Sequence, residues 1–169
     1  MAIKRVIILV LALVTGFGAA GLASATDWQT YRNHDHGFSL DYPADLFDRR
    51  DKAAFGEGVV FSSDDGRRKL AIYGFHNGDE LPMKTVRDIV VENYVDREIT
   101  YERLKGNWLV LSGYETIDGE QMIFYNRLES NRAGNRFSAF EFTWPVAGRE
   151  KIDPLLKRMT DSLGSPTGR

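Results

Sequence analysis

The segment 136–144 reads RFSAFEFTW, and its alternation decides the fold class. In an extended chain Phe140, Phe142 and Trp144 lie on one side, and Glu141 lies on the other. A period of two with aromatic residues at the apolar positions predicts a β-strand with one face against a hydrophobic core. We therefore expect this chain to be built around a sheet.

Further strands and two helices surround this segment. The run GFSLDYP at 37–43 alternates in the same way, and Pro43 ends it because proline cannot donate to a strand ladder. Turn residues at 63–66 and 118–119 favour antiparallel hairpins between the neighbouring runs. The predicted strands are 37–43, 59–62, 69–75, 99–104, 108–114, 121–128 and 136–144, and apolar residues at helical spacing predict helices over 82–94 and 152–163.

Together these elements predict an α+β fold. We expect an antiparallel sheet of about six to seven strands with amphipathic helices packed on both faces, an α-β-α sandwich. Within the sheet, the run WLVL at 108–111 is apolar on both faces of a strand. This pattern predicts a central strand that is covered on both sides.

The first 25 residues have the three parts of a secretory signal peptide. Lys4 and Arg5 form the basic end, residues 6–14 are an apolar run, and the sequence ASA at 23–25 matches a cleavage site. We therefore expect cleavage of residues 1–25 and a periplasmic or secreted protein without a stable membrane anchor. An uncleaved anchor is the alternative, because the uncharged stretch has nearly the length of a bilayer span.

Composition excludes several classes of protein. The chain has 169 residues and no cysteine, which rules out thiolate metal sites, a cysteine nucleophile and disulfides. Its net charge is −2, and loss of the two basic residues of the leader makes it −4, so nucleic acid is not an expected partner. The remaining length suits a single domain, predicted at 26–164, followed by a disordered tail at 165–169.

Two histidines form the candidate metal site. In extended chain His34 and His36 project to the same side, as two imidazole ligands of zinc or copper would. A third ligand has to come from elsewhere, with His76 or Asp41 as the visible options. The alternative is a polar lead-in to the first strand with solvated histidines.

Two aromatic residues form the candidate partner surface. Trp28 and Tyr31 precede the first predicted strand, and exposed aromatic rings are typical anchors at protein interfaces. The alternative is that both rings pack back on the sheet edge and fix the N-terminus of the mature chain.

The sequence contains no catalytic motif, and we predict no catalytic or cofactor-binding residue. A pair of carboxylates across a cleft would suit glycoside hydrolysis, but no spacing signals such a pair. The carboxylates that fall on predicted strands or strand ends are Asp41, Glu115, Glu120 and Glu141.

The order of the segments resembles a PsbP-like domain. It combines Tyr31 and GFSLDYP with the hairpin SSDDGRRKLAIYG, a helix, WLVLSG, an aromatic strand ending in Trp144-Pro145 and a closing amphipathic helix. The resemblance spans about residues 31–163 and implies an antiparallel sheet between helices. The family includes an extrinsic photosystem II subunit, a fungal Ran-binding nuclear protein and exported bacterial proteins. No residues specific to the photosystem or to Ran are recognisable here, so the resemblance implies a scaffold for binding and assembly.

The sequence therefore predicts an exported, non-catalytic binding or assembly module whose partner is a cell-envelope protein, with no cofactor. An envelope hydrolase with a cleft site assembled only by folding is the alternative. A metal-binding periplasmic protein is the third interpretation.

Overall fold

The computed structural model describes residues 26–53 and 57–167. Within these ranges the chain forms an antiparallel seven-stranded sheet, a separate two-stranded sheet and two α-helices, so the predicted α+β fold is confirmed. The strands are β1 (Trp28–Asn33), β2 (Phe38–Pro43), β3 (Arg49–Lys52), β4 (Glu57–Ser62), β5 (Lys69–His76), β6 (Arg97–Lys105), β7 (Trp108–Ile117), β8 (Glu120–Ser130) and β9 (Arg136–Pro145). The α-helices are α1 (Met83–Glu92) and α2 (Arg149–Ser162), and short 3-10 helices span Ala44–Leu46 and Val146–Gly148.

The large sheet has the strand order β3-β4-β5-β9-β8-β7-β6. The aromatic strand β9 lies at its centre, and consecutive hairpins join β6, β7, β8 and β9. The turn between β7 and β8 is made by Asp118 and Gly119, both with positive φ, as a type I′ turn requires. The expectation that 108–111 forms the central strand is wrong, because β7 lies one strand in from the edge. Its residues Leu109, Val110 and Leu111 are nevertheless buried from both faces.

Helices cover both faces of the sheet, as predicted. On one face α2 and the β1–β2 hairpin pack over Phe140, Phe142 and Trp144, which are fully buried. On the other face α1 packs through Val86 against a second core that includes Phe124. At about 25 cal/mol per Å² of apolar surface, burial of these large aromatic side chains is the main force that holds the layers together.

The periodicity of the sequence does not reveal β1 and β3. β1 (WQTYRN) has only two large apolar residues, and it forms by pairing with β2. β3 (RRDK) is wholly charged and exposed, and it pairs with β4 at the edge of the sheet. Charged residues on edge strands discourage pairing with other chains. Because such a strand has no apolar residues, a hydrophobic pattern does not distinguish it from a solvated loop.

The C-terminal segment returns to the β1–β2 hairpin. Helix α2 begins at Arg149, three residues before the predicted start, and continues through Pro154. Beyond α2, the backbone N–H of Gly164 donates to Ser39 O at 3.0 Å, and that of Thr167 donates to Gly37 O at 3.2 Å. Residues 165–167, the start of the predicted disordered tail, are thus fixed on the hairpin turn, and Pro166 is buried.

The predicted signal peptide at 1–25 and residues 168–169 of the predicted tail lie outside the described residues. In the part of the chain that is described, neither helix is long and apolar enough to cross a membrane.

Candidate functional site

The aromatic residues of the candidate partner surface belong to a strand, β1, and not to a lead-in segment. The Arg158 guanidinium of α2 lies 4.3 Å from the centroid of the Trp28 ring, a cation–π contact. The Tyr31 ring meets Phe38 edge-on at 6.4 Å, and both Trp28 and Tyr31 pack against the core at the α2 face. The structure therefore uses these two rings to hold β1 on the domain, which leaves them only partly exposed.

Asp41, one of the options for a third metal ligand, binds two neighbours in the same region. Thr30 Oγ1 donates to Asp41 Oδ1 at 2.7 Å, and Arg158 Nη2 donates to Asp41 Oδ2 at 3.0 Å. The Thr30 hydrogen bond and the Arg158 charge lower the pKa of Asp41. This carboxylate joins β1, β2 and α2.

The candidate metal-ligating histidines lie in the turn between β1 and β2 and not in extended chain. The turn closes when the backbone N–H of Gly37 donates to Asn33 O at 2.9 Å and that of His36 donates to Asn33 Oδ1 at 2.9 Å. Gly37 has φ +66°, a conformation that glycine adopts without strain. As a result His34 is exposed, whereas His36 is 1% exposed.

The buried His36 ring lies against β5. Its centroid is 5.1 Å from that of His76, and its Nε2 is 3.2 Å from Glu57 Oε2. Its Nδ1 has no hydrogen-bond partner among the described residues. Burial lowers the pKa of His36, and attraction to Glu57 does not reverse this direction because the Glu57 side chain is 61% exposed. His36 is therefore a neutral, packed histidine at neutral pH.

The structure brings His36 and His76 together but leaves His34 and Asp41 in other surroundings. In residues 26–53 and 57–167 no three histidine, aspartate or glutamate side chains are arranged to hold a metal ion. Metal binding by His34 and His36 stays a prediction.

Two of the four candidate catalytic carboxylates converge on one arginine. Arg97 Nη2 donates to Glu141 Oε1 at 2.7 Å, and Arg97 Nε donates to Glu115 Oε2 at 2.8 Å. Tyr94 and Asn126 each donate to Glu141 Oε2 at 3.0 Å. This network lies on the α1 face and joins β6 and the segment that follows α1 to β7, β8 and β9.

The Arg97 network does not suit acid–base catalysis. Burial by itself raises the pKa of Glu141, but hydrogen bonds and charge from Arg97, with Asn126 and Tyr94, bring it below the ordinary value. A general acid needs a raised pKa in order to carry a proton near neutral pH. Glu120 is likewise paired with Arg67, and Asp41 with Arg158. Each of the four carboxylates named from the sequence is therefore bound to an arginine.

An open surface lies on the α2 face at the β6 end of the sheet. We define the Trp108 surface by Tyr101, Arg103, Trp108, Arg127 and Tyr125. The guanidinium carbons of Arg127 and Arg103 lie 4.2 and 5.6 Å from the Trp108 ring centroid. Together with the end of α2 these residues line a depression of about 490 Å³, and Tyr101 is 49% exposed.

The charges of the Trp108 surface are unevenly paired. Arg127 Nη2 bonds Glu129 at 3.0 Å, while Asp161 on the bordering helix is paired with Lys157. Arg103 forms no ion pair with any residue that the structure describes, and the buried Nε of Arg127 lacks a hydrogen-bond partner there. The surface therefore offers an aromatic ring and, beside it, an arginine without an ion-pair partner among the described residues.

Sequence reasoning did not find the Trp108 surface. Arg103, Trp108 and Arg127 lie on three different strands, and the register of β6, β7 and β8 alone brings them together. The only sequence signal is that 108–111 is apolar on both faces, which predicts a strand covered on both sides. Val110 is buried, and its partners in the strand register are Arg103 and Arg127.

The fold is that of PsbP-like domains. No protein-family model matches the chain, and neither does any curated protein. Among solved structures, cyanobacterial PsbP (CyanoP) from Synechocystis sp. PCC 6803 is similar with a TM-score of 0.58 at 12% identity, over 88% of this chain and 98% of that one. The Ran-binding protein Mog1p of Saccharomyces cerevisiae has a TM-score of 0.56 at 11% identity, over 83% and 96%.

A third similar structure is PA94 from Pseudomonas aeruginosa, a protein of unknown function. Its TM-score is 0.52 at 14% identity, over 83% of this chain and 99% of that one. At such identities the likeness concerns the fold. The fold class and the PsbP resemblance that the sequence predicts are both confirmed.

Proposed function

We propose that this chain is an exported, non-catalytic binding module that recognises an acidic polypeptide segment of a cell-envelope protein through the Trp108 surface. The observation that carries the proposal is Trp108 itself, a tryptophan with guanidinium groups beside its ring on a part of the sheet that neither of the described α-helices covers. Tryptophan and arginine are the residues that most often dominate binding energy at protein interfaces.

The charge of the surface supports an acidic partner. Without its leader the chain has a net charge of −4, yet Arg103 and Lys105 on β6 have no acidic partner among the described residues. The acidic groups at the border, Glu129 and Asp161, are already paired with Arg127 and Lys157. A segment with carboxylates would complement this local excess of positive charge, and a side chain stacked on Trp108 would add apolar contact.

The fold supports a role in binding. One of the similar structures is a Ran-binding protein, which binds another protein. The arginine-paired carboxylates, by contrast, favour a structural role over the hydrolase alternative. Fold likeness is a weaker argument than the site, so the proposal depends on the Trp108 surface.

Site-directed photo-crosslinking of the full chain in its own host tests the proposal. A photoreactive residue at position 101, in place of Tyr101, should yield one crosslinked envelope protein. The same group in place of Thr85, which is exposed on α1, is the matched control and should yield none. Arg103→Glu should remove most of the product at position 101, since it reverses the charge that attracts the partner.

Two results would contradict the proposal. One is crosslinking at position 101 that does not change with Arg103→Glu or Trp108→Ala. The other is a product obtained at Trp28 and not at Tyr101, which would instead favour the partner surface predicted from the sequence. Mass spectrometry of the same protein tests export, because the mature chain should begin at Thr26.

A further inference from the structure

A second open cavity lies at the end of β5 and β9, away from the Trp108 surface. It measures about 660 Å³ and is lined by the loop that follows β5, the loop between β8 and β9, and Pro166 of the C-terminal segment. We call it the His76 cavity. Neither the proposed partner surface nor the predicted metal site accounts for it.

The walls of this cavity are held by two asparagines. Asn77 is buried, and its Nδ2 donates to Gly134 O at 2.7 Å and to Leu81 O at 2.9 Å, which joins the two loops. Asn131 Oδ1 accepts hydrogen bonds from the backbone N–H groups of Asn135 and Arg136. The loops are therefore fixed before any ligand arrives, and this reduces the ordering cost of binding.

Two arginines, one histidine and three asparagines line the cavity. Arg132 is exposed and forms no ion pair with a described residue, and Arg136 donates to Asp35 O at 3.2 Å. His76 lines the same cavity beside Arg136, its neighbour across β5 and β9. Among the described residues that line the cavity, Glu80 is the one carboxylate and Arg132 and Arg136 are the two arginines.

The geometry points to a binding site for a phosphate-bearing ligand. We propose that the guanidinium groups of Arg132 and Arg136, with the His76 imidazole, bind a phosphate monoester group in the His76 cavity. Arginine presents paired N–H groups that match phosphate oxygens. The volume exceeds that of a phosphate ion, so there is room for the organic part of an ester. Either a soluble phosphate ester or a lipid headgroup supplies this chemistry.

Calorimetric titration of the full chain tests the proposal with three probes. They are inorganic phosphate, glycerol 3-phosphate, and vesicles that contain phosphatidic acid, whose headgroup is a phosphate monoester, with phosphatidylcholine vesicles as their neutral control. We expect saturable binding of glycerol 3-phosphate or of the anionic vesicles. Arg132→Gln should weaken it at least tenfold, because it removes a charged hydrogen-bond donor from the site.

Matched variants separate this site from the general charge of the protein. Arg103→Gln, on the Trp108 surface, removes the same charge and should leave the affinity unchanged. Because Arg136 also binds the hairpin turn, Arg136→Lys is checked for an unchanged unfolding temperature before its affinity is compared. Anionic vesicles that bind only with Arg132 present would identify a lipid headgroup as the source of the phosphate. The proposal is overturned if none of the probes binds, if Arg132→Gln binds as tightly as wild type, or if sulfate competes as well as the ester at equal ionic strength.

Discussion

The His36 ring occupies the space that Gly74 leaves on β5. A Cβ atom on Gly74 would lie 2.4 Å from His36 Cγ, far inside van der Waals contact. The turn between β1 and β2 can approach the large sheet so closely only because position 74 has no side chain. This contact is one of those that fix where the N-terminal hairpin meets the body of the domain.

Gly74→Ala should therefore destabilise the protein by about 1–3 kcal/mol, the usual cost of forcing extra volume into a packed core. Urea unfolding followed by tryptophan fluorescence measures the loss. Gly78→Ala is the control, since a Cβ there meets nothing within 4 Å, and its backbone does not have positive φ. Equal stabilities of the two variants would show that His36 has room to move.

Removal of Arg97 should be among the most damaging single changes. Arg97→Met leaves Glu115 and Glu141 half-buried without their counter-ion, and loss of one partner from a buried ion pair costs about 3–5 kcal/mol. Arg49→Met is the control because its pair with Asp64 is on the surface, where salt bridges contribute little. If both variants unfold at the same urea concentration, the network is not structural.

The same variant should have a characteristic pH dependence. In wild type the lowered pKa of Glu141 means that its contribution is present at neutral pH and is lost as the pH falls through that lowered pKa. Without Arg97, burial raises this pKa, so mild acid should restore part of the lost stability by protonating Glu141. Urea unfolding of Arg97→Met at pH 7 and pH 5 tests this prediction. A stability that falls between these pH values as it does in wild type would contradict it.

His36 should make the folded state sensitive to mild acid. Its folded pKa lies below the ordinary value of about 6.5, so the unfolded chain binds the proton first and stability falls as the pH drops below that value. Wild type should lose more stability than His36→Gln between pH 7.5 and pH 5.5. His34→Gln, an exposed substitution in the same turn, should behave like wild type. NMR titration of the His36 ring protons checks the direction of the shift independently.

Zinc should not stabilise the protein through the predicted histidine pair. His36 is buried against Gly74 and His76, whereas His34 is exposed, so the two side chains do not project to the same side of the chain. Excess zinc should therefore shift the unfolding temperature of wild type and of the double variant His34→Ala/His36→Ala by the same amount. A zinc-dependent increase that is lost in the double variant would support the metal-binding interpretation.

The sequence predicts most strands and both helices because the pattern of apolar residues that indicates each one lies within that element. Alternating aromatics in β9 and helical spacing in α1 and α2 each report burial within one element. β3 escapes prediction because all its side chains are exposed and its pairing with β4 is set by the backbone. The Trp28 and Tyr31 rings lie on β1, which is stabilised by elements distant in the sequence such as α2 and β4, so the sequence could not decide between partner surface and packing.

The sites depend on contacts between distant residues, which no local pattern encodes. Whether His34 and His36 share a side is decided by the Asn33 hydrogen bonds that close the turn. Likewise Arg103, Trp108 and Arg127 meet through strand register, and His76 meets Arg136 through the pairing of β5 with β9. The sequence places Glu115 and Glu141 on strands or strand ends, but no local pattern indicates the arginine that lies between them.

The bonds from Gly164 and Thr167 to the first hairpin join residues more than 120 positions apart in the chain. During synthesis β1 and β2 emerge long before residues 164–167, so these hydrogen bonds form late. A chain that lacks residues 164–167 would leave the hairpin turn without them. A polypeptide that passes through a translocon in an extended form would complete its structure only after the whole of it has crossed. Residues 164–167 thus make the last long-range contacts of the domain, and folding is complete only when they are available.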